Sequence, residues 1–258
     1  MSARLHSEAN PLLLFCHLSP VCSVDAAVAY KKDDSEEAID AYQKLFAWKH
    51  DAATGTFLSQ QTPVAVLTDA LEECEDAWVP LFTVLQLEER VRCAVAQGAQ
   101  HLETRSLPAH GQVAFLRAPH GELFGLWTPS KDQGPILRHE PVSLTWAELV
   151  SPDPQGSKAL YEAVFGWTSE RHEERPGFWY LTYSMGSRRS AGALAAVGAL
   201  AGCAPHWAPY FVVSDLEATV AMLEALGGDV VCGPMHGRPG QWSLARTSGG
   251  TRLALLQR

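Results

Sequence analysis

Residues 27–51, AVAYKKDDSEEAIDAYQKLFAWKHD, align without a gap with residues 146–170, WAELVSPDPQGSKALYEAVFGWTSE. A second pair of blocks, residues 78–98 (WVPLFTVLQLEERVRCAVAQG) and 207–227 (WAPYFVVSDLEATVAMLEALG), shares Trp, Pro, Phe and Leu-Glu at matching positions. Self-similarity of this kind is the signature of an internal repeat. The offset between the copies grows from 119 to 129 residues, so the second copy carries its extra length between the two blocks, in a Gly/Ala-rich region.

Each copy is built from two half-units in which a strand leads into a helix. In the second copy, strand 144–150 precedes Asp153 and another strand precedes Asp215, and both aspartates are expected helix N-caps. The last half-unit adds strands 241–246 and 251–256, joined at a pair of glycines that suits a hairpin. This order predicts an α+β fold of paired βαβββ modules.

Length and composition set the class of protein. The chain has 258 residues, enough for two modest domains, and 47% hydrophobic and 19% charged residues suit globular packing. No apolar run approaches the roughly 18 residues of a membrane span. The net charge of −9 disfavours nucleic acid as a partner. Six dispersed cysteines predict free thiols and a cytoplasmic location.

The repeat also predicts the domain organisation. We assign a leader to residues 1–23, a first domain to 24–130, a linker to 131–141 and a second domain to 142–258. The linker assignment depends on Pro, Gly and charged residues between the two copies.

Three stretches of the second copy point to a known family: DPQGSKALYEAVFGW (153–167), PHWAPYFVVSDLEATVAMLEALGGDV (205–230) and TSGGTRLALL (247–256). With them the chain resembles the glyoxalase, bleomycin-resistance and extradiol-dioxygenase superfamily, also called vicinal oxygen chelate proteins. It looks most like the tandem glyoxalase-like proteins of the actinobacterial antigen type. The resemblance implies two U-shaped mixed sheets with helices outside and a ligand cavity inside each. It does not imply one reaction, because the superfamily includes isomerases, dioxygenases, lyases and sequestering proteins.

The resemblance also assigns positions for a metal, because metal-dependent members hold it with His, Gln or Glu on inward-facing strand positions. The corresponding residues here are Trp146, Ala193 or Leu194, Ala208 and Ala254 in the second copy, and Ala27, Val64 or Ala65, Val79 and Gly125 in the first. A catalytic divalent metal needs about three protein donors, and these side chains supply none. We therefore expect no metal, and no motif indicates another cofactor.

Strand alternation nominates the residues of the second cavity. If Trp146 faces inward then so does Glu148, and the same parity places Tyr210 and Arg252 there, with Tyr183 from the middle strands. Aromatic walls with one carboxylate and one guanidinium suit a small, partly aromatic organic molecule. The competing interpretation is that Glu148 and Arg252 form an ion pair that serves only to neutralise both charges. The first cavity is expected to be plainer and more apolar.

The leading functional hypothesis is a glyoxalase-like protein without metal that binds a small-molecule ligand in its second domain, with any chemistry unassigned and a homodimer left open. The alternative is a metal-dependent lyase or dioxygenase whose ligands have moved to His110, His206, His236 and Glu148. In that alternative His110 and His236 belong to long loops, and His206 lies at the entrance of a strand. A third hypothesis is an interaction scaffold with no ligand.

Overall fold

The computed structural model describes residues 26–30, 35–69, 71, 77–107, 109–130, 142–175, 177–237 and 240–258. The predicted leader and linker lie outside the described residues. The assigned domain boundaries remain a prediction.

The first copy forms one eight-stranded sheet with two helices in its described part. Its elements are β1 (Ala26–Tyr30), α1 (Ser35–Phe46), β2 (Lys49–Asp51), β3 (Thr56–Ser59), β4 (Thr62–Asp69), β5 (Ala77–Thr83), α2 (Leu87–Ala96), β6 (Gln100–Leu107), β7 (Gly111–Arg117) and β8 (Leu123–Pro129). The strand order is β2-β3-β4-β1-β5-β8-β7-β6. The two βαβββ modules therefore join through the antiparallel pair β1 and β5.

The second copy repeats this arrangement within the residues described for it. Its elements are β9 (Leu144–Ser151), α3 (Pro154–Phe165), β10 (Thr168–Arg175), β11 (Phe178–Met185), β12 (Arg188–Ala195), a 3-10 turn (Gly198–Leu200), β13 (His206–Val212), α4 (Leu216–Ala225), β14 (Asp229–Gly237), β15 (Gly240–Arg246) and β16 (Arg252–Gln257). The strand order is β10-β11-β12-β9-β13-β16-β15-β14.

This architecture confirms the predicted α+β class, with two curled mixed sheets built from paired βαβββ modules. The predicted N-caps are also confirmed: the Asp153 carboxylate accepts from the Gly156 amide at 2.9 Å, and that of Asp215 accepts from the Ala218 amide at 2.9 Å. No helix among the described residues is long and apolar enough to cross a membrane.

The two sheets share one hydrophobic core, formed by their convex faces and the helices. Each copy contributes a phenylalanine to an aromatic cluster of the other. Phe82 of the first copy contacts the rings of Phe165, Trp167 and Trp207, with centroid distances of 5.0, 5.6 and 5.2 Å. The repeat-related Phe211 contacts the matching rings of the first copy, those of Phe46, Trp48 and Trp78, at 5.2, 5.4 and 5.1 Å. The exchange is reciprocal, so the copies pack about a pseudo-twofold axis.

The extra length of the second copy lies largely in its second and third strands. β10 and β11 have 8 residues each, whereas the equivalent β2 and β3 have 3 and 4. The Gly/Ala-rich stretch forms β12 and the 3-10 turn. The second sheet therefore extends further at β10 and β11 than the first sheet does at β2 and β3.

One strand was missing from the sequence interpretation. β14 occupies the segment predicted as a long loop, and His236 lies within it, paired with Gln241 of β15. β14 is an edge strand with two register shifts, and it contains Gly233 and Pro234. Proline and glycine are tolerated at such edges and bulges, but they interrupt the alternation by which a strand is recognised.

Candidate functional site

A cavity of about 450 Å³ opens on the concave face of the second sheet. This volume falls within the roughly 300–1,000 Å³ that is typical of small-molecule sites. Its walls are mainly aromatic and apolar, with a few polar groups. The lining residues are Thr145, Trp146, Glu148, Phe178, Tyr180, Thr182, Arg189, Leu194, Tyr210, Met235, His236, Gly237, Trp242, Leu256 and Arg258.

The alternation of side chains along each strand decides which residues face the cavity. On β9, Trp146 and Glu148 face the cavity, whereas the intervening Ala147 and the following Leu149 are buried in the shared core. On β13, Tyr210 lines the cavity and its neighbour Phe211 faces the helices. Successive residues of a strand point to opposite faces, so one face builds the fold and the other builds the cavity.

The polar centre of the cavity is a hydrogen bond between Tyr210 and Glu148. The Tyr210 hydroxyl donates to Oε2 of Glu148 at 2.6 Å, within the range of charge-assisted O–H···O bonds. Burial, and next the adjacent Glu148, raise the pKa of Tyr210 well above its usual range. The phenol therefore remains a donor, and it fixes the orientation of the carboxylate.

Gly192 makes room for this centre. It pairs with Glu148 across β12 and β9. A Cβ at this position would lie 2.7 Å from Oε1 of Glu148 and 3.2 Å from Cζ2 and Nε1 of Trp146. The missing side chain thus lets the carboxylate and the indole approach the sheet closely. Sequence reasoning treated the glycines of this stretch only as close-packing residues.

Two residues predicted for the cavity lie elsewhere. Tyr183 is on the convex side of β11, where its ring contacts Tyr161 and Trp167 at centroid distances of 6.1 and 5.5 Å. β11 carries aromatic residues on both faces, so the sequence alone did not reveal which face is concave. Arg252 is absent from the cavity lining, and its charge acts on His206 instead.

His206 lies at the start of its strand, as expected, and its side chain is partly exposed. It is the first residue of β13, and its Nδ1 donates to the Ala204 carbonyl at 2.8 Å. Burial, together with the nearby charge of Arg252, lowers the pKa of His206 to about 4, although the carbonyl opposes the shift. This imidazole is therefore neutral at physiological pH.

The cavity residues that sequence reasoning missed come from the longer strands and the edges of the sheet. Phe178 and Tyr180 belong to the extended β11, and Trp242 belongs to β15. Alternation within FWYLTYSM offered a signal for the first two, once the face of β11 was known. Arg189 and Arg258 gave no such signal, because Arg189 precedes a β-bulge and Arg258 lies just beyond the last strand.

The residues at the family's metal positions do not fit a metal. Trp146 and Leu194 line the cavity, and Ala208 and Ala254 belong to the apolar cluster beside it. An indole and alkyl groups offer no donor atom to a divalent cation. In the described part of the chain, no three His, Cys, Asp or Glu side chains lie where they could hold an ion together.

The displaced ligand set of the alternative hypothesis is also dispersed. His110 belongs to the first sheet, where Nε2 lies 2.7 Å from the Thr56 hydroxyl. His236 and Glu148 line the second cavity, but His206 does not. The four side chains therefore do not form one site.

The concave face of the first sheet is apolar, and hydrogen bonds connect the two modules across it. Its cluster includes Val79, Leu81 and Trp127, all at most 1% exposed. The bond from His110 to Thr56 spans the two modules of this sheet, and Arg105 of β6 donates to Thr68 of β4 at 3.0 Å across the same gap. This face resembles a packed core more than a binding site.

Solved structures with the same fold are extradiol dioxygenases and glyoxalases. The 2,3-dioxygenase LapB from Pseudomonas sp. KL28 superposes with a TM-score of 0.58 and 16% identity, covering 91% of both chains. The Mn(II)-bound glyoxalase from Novosphingobium aromaticivorans gives a TM-score of 0.57 and 17% identity, covering 93% of this chain and 83% of the other. The chain therefore has the fold of these dioxygenases and glyoxalases.

Curated relatives agree with that class. The glyoxylase CFP32 of Mycobacterium tuberculosis is 29% identical over 218 residues, 78% of this chain and 81% of its own. The anthracycline biosynthesis protein DauV of Streptomyces sp. (strain C5) is 30% identical over 125 residues, 46% of this chain and 43% of its own. No protein-family model matches. The resemblance to the vicinal oxygen chelate superfamily that was found in the sequence is confirmed by these relatives and by the shared fold.

Proposed function

We propose that this protein binds a small, partly aromatic organic molecule in the cavity of the second sheet, without a metal ion at the positions that other members of the superfamily use. The observation that carries the proposal is the combination of an open cavity of about 450 Å³ with donor-free side chains at those positions. The molecule contacts aromatic walls and meets a carboxylate held by a tyrosine.

The aromatic walls favour a flat ligand. Trp146 and Trp242 lie on different strands of the curled sheet, and Tyr180 lies on a third, so a planar molecule can contact several rings at once. Aromatic pairs stabilise one another by about 0.5–1.5 kcal/mol beyond area burial. One relative is named for the biosynthesis of anthracyclines, which are aromatic compounds, and this supports the same ligand class.

Truncation of Trp146 tests the binding. We expect Trp146→Ala to weaken calorimetric binding of a neutral probe, a hydroxynaphthamide, by more than about fivefold, or about 1 kcal/mol. Trp179→Ala is a matched control, because Trp179 lies on β11 under the Arg171 guanidinium and does not line the cavity. Circular dichroism checks the fold of both variants. Equal affinity in wild type and Trp146→Ala would remove Trp146 from the site.

Elemental analysis tests the metal-free part of the proposal. Protein purified without chelator is expected to hold far less than one equivalent of Zn, Ni, Mn or Fe. A stoichiometric ion retained through gel filtration would favour the metal-dependent lyase or dioxygenase instead.

We propose a small molecule, rather than a nucleic acid, as the partner, and the cytoplasm as the location. The net charge of −9 supports the first proposal. The second is supported by Cys93, Cys203 and Cys232, which are free thiols.

A further inference from the structure

We propose that the ligand of the second cavity is an aromatic acid: a planar molecule with an anionic group at one end and a hydroxyl or amino donor at the other. This inference rests on the proposed binding function and specifies its ligand class. Two charge features carry it, the guanidinium groups at the mouth and the carboxylate at the floor of the cavity.

The cavity runs from an exposed mouth to a buried floor. Arg189, His236 and Arg258 line it and are exposed, so they lie at the mouth. Tyr210 and Trp242, at 4% and 9% exposure, lie at the floor, and Glu148 is bonded to the first of them. Two fixed positive charges therefore stand at the entrance of a protein whose net charge is −9.

A β-bulge directs Arg189 to this mouth. Tyr183 pairs with Ala191 but Ser184 pairs with Arg189, so Ser190 is an extra residue in β12. Without that residue, Arg189 would share the convex face with Ala191, which lies in the shared core. Bulges commonly redirect a side chain towards a functional site. Arg189 makes no ion pair in the described part of the chain, so its charge is not neutralised there.

Arg258 lies at the same opening, just beyond the last strand. Its guanidinium donates to the hydroxyl of Thr145 on β9, and this bond holds the side chain against the cavity wall. A guanidinium carries five N–H donors in a planar fork, which suits a carboxylate, sulfonate or phosphate. The mouth therefore favours an anionic acceptor.

The floor has the opposite preference. Carboxylate oxygens accept hydrogen bonds, and Oε2 of Glu148 already accepts the bond from the Tyr210 hydroxyl. A ligand group that reaches Glu148 must therefore donate a hydrogen bond, as a phenol or an amine does. A second anionic group at this depth would be repelled. The two ends of the cavity thus select a molecule of defined polarity and orientation.

A matched pair of probes tests the charge preference. Hydroxynaphthoate and hydroxynaphthamide, each with its two groups at opposite ends of the ring system, differ only in the anionic group. At low salt, titration calorimetry on the full chain should give at least about tenfold tighter binding of the acid, and this preference should shrink as salt screens the exposed guanidinium groups.

Arg189→Gln should reduce the advantage of the acid over the amide to less than about threefold. Arg171→Gln, on the convex side of the same sheet, should preserve the advantage. Equal affinity for the two probes in wild type, or an undiminished advantage in Arg189→Gln, would overturn the aromatic-acid inference alone if the amide still binds in a Trp146-dependent way. Absence of binding by both probes would overturn the proposed function as well.

Discussion

Replacing Tyr161 with phenylalanine tests the series of buried hydrogen bonds that joins the two copies. The Tyr161 hydroxyl lies in the shared core at 0% exposure. It accepts from Nε1 of Trp207 at 3.0 Å and donates to Oε1 of Glu122, a residue of the first copy, at 2.9 Å. Burial, and then the charge of Glu122, raise the pKa of Tyr161 far above its usual value, so the phenol remains protonated.

The magnitude follows from the two groups that lose their partner. Tyr161→Phe leaves the Trp207 N–H and Glu122 Oε1 buried without this hydroxyl, and each orphaned group costs about 1–3 kcal/mol. Oε2 of Glu122 already lacks a partner, so the carboxylate cannot compensate through that oxygen without rearrangement. We expect a loss of about 2–6 kcal/mol in unfolding free energy.

The repeat supplies a matched control. Tyr42 is the equivalent residue of the first copy, but Nε1 of the neighbouring Trp78 has no hydrogen-bond partner. Tyr42→Phe therefore orphans no indole N–H, and its cost should be about 1 kcal/mol. Urea unfolding, followed by tryptophan fluorescence and circular dichroism, compares the variants. Equal losses in both, or a Tyr161→Phe loss below about 0.5 kcal/mol, would refute this reasoning.

Three further predictions concern other parts of the fold. The pKa of His206 is about 4 in the folded protein, whereas the reference value, which represents the unfolded chain, is 6.5. The unfolded chain therefore takes up the proton first, and stability present above pH 6.5 falls by about 3 kcal/mol as the pH drops towards 4. His206→Gln should flatten this part of a stability profile; an unchanged slope would contradict the assignment. Gly192→Ala should weaken binding of the hydroxynaphthamide more than about tenfold, because Glu148 must move, yet change unfolding free energy by less than about 1 kcal/mol; calorimetry and urea unfolding measure the two effects. Asp153→Ala and Asp215→Ala should each cost about 1 kcal/mol in urea unfolding, and asparagine at either position should restore most of it.

The fold was predictable because the sequence contains it twice. The matched aromatic and glycine positions established the repeat, and each copy then supported the strand and helix assignments of the other. The sequence did not predict β14, because Gly233, Pro234 and the position at the sheet edge remove the alternating apolar pattern. Edge strands need few buried residues, so their sequences carry little periodic signal.

The candidate site was predictable only where a matched strand established which face is concave. Trp146, Glu148 and Tyr210 followed from the parity of β9 and β13, and the structure places them around one cavity. Tyr183 did not, because β11 has aromatic residues on both faces. The position of Arg189 depends on a bulge in β12, and an extra residue that changes the parity of a strand is invisible to an alternation argument.

The reciprocal seating of Phe82 and Phe211 has the geometry of an isologous dimer interface contained within a single polypeptide. In a true homodimer, any substitution would appear in both subunits, so a cavity could not be closed in one and kept in the other. Covalent tandem linkage removes that restriction. Here one half contains the hydrogen bond between His110 and Thr56, whereas the other half has an open, charged cavity. Duplication within one chain therefore allows the two halves to differ in structure and in ligand binding.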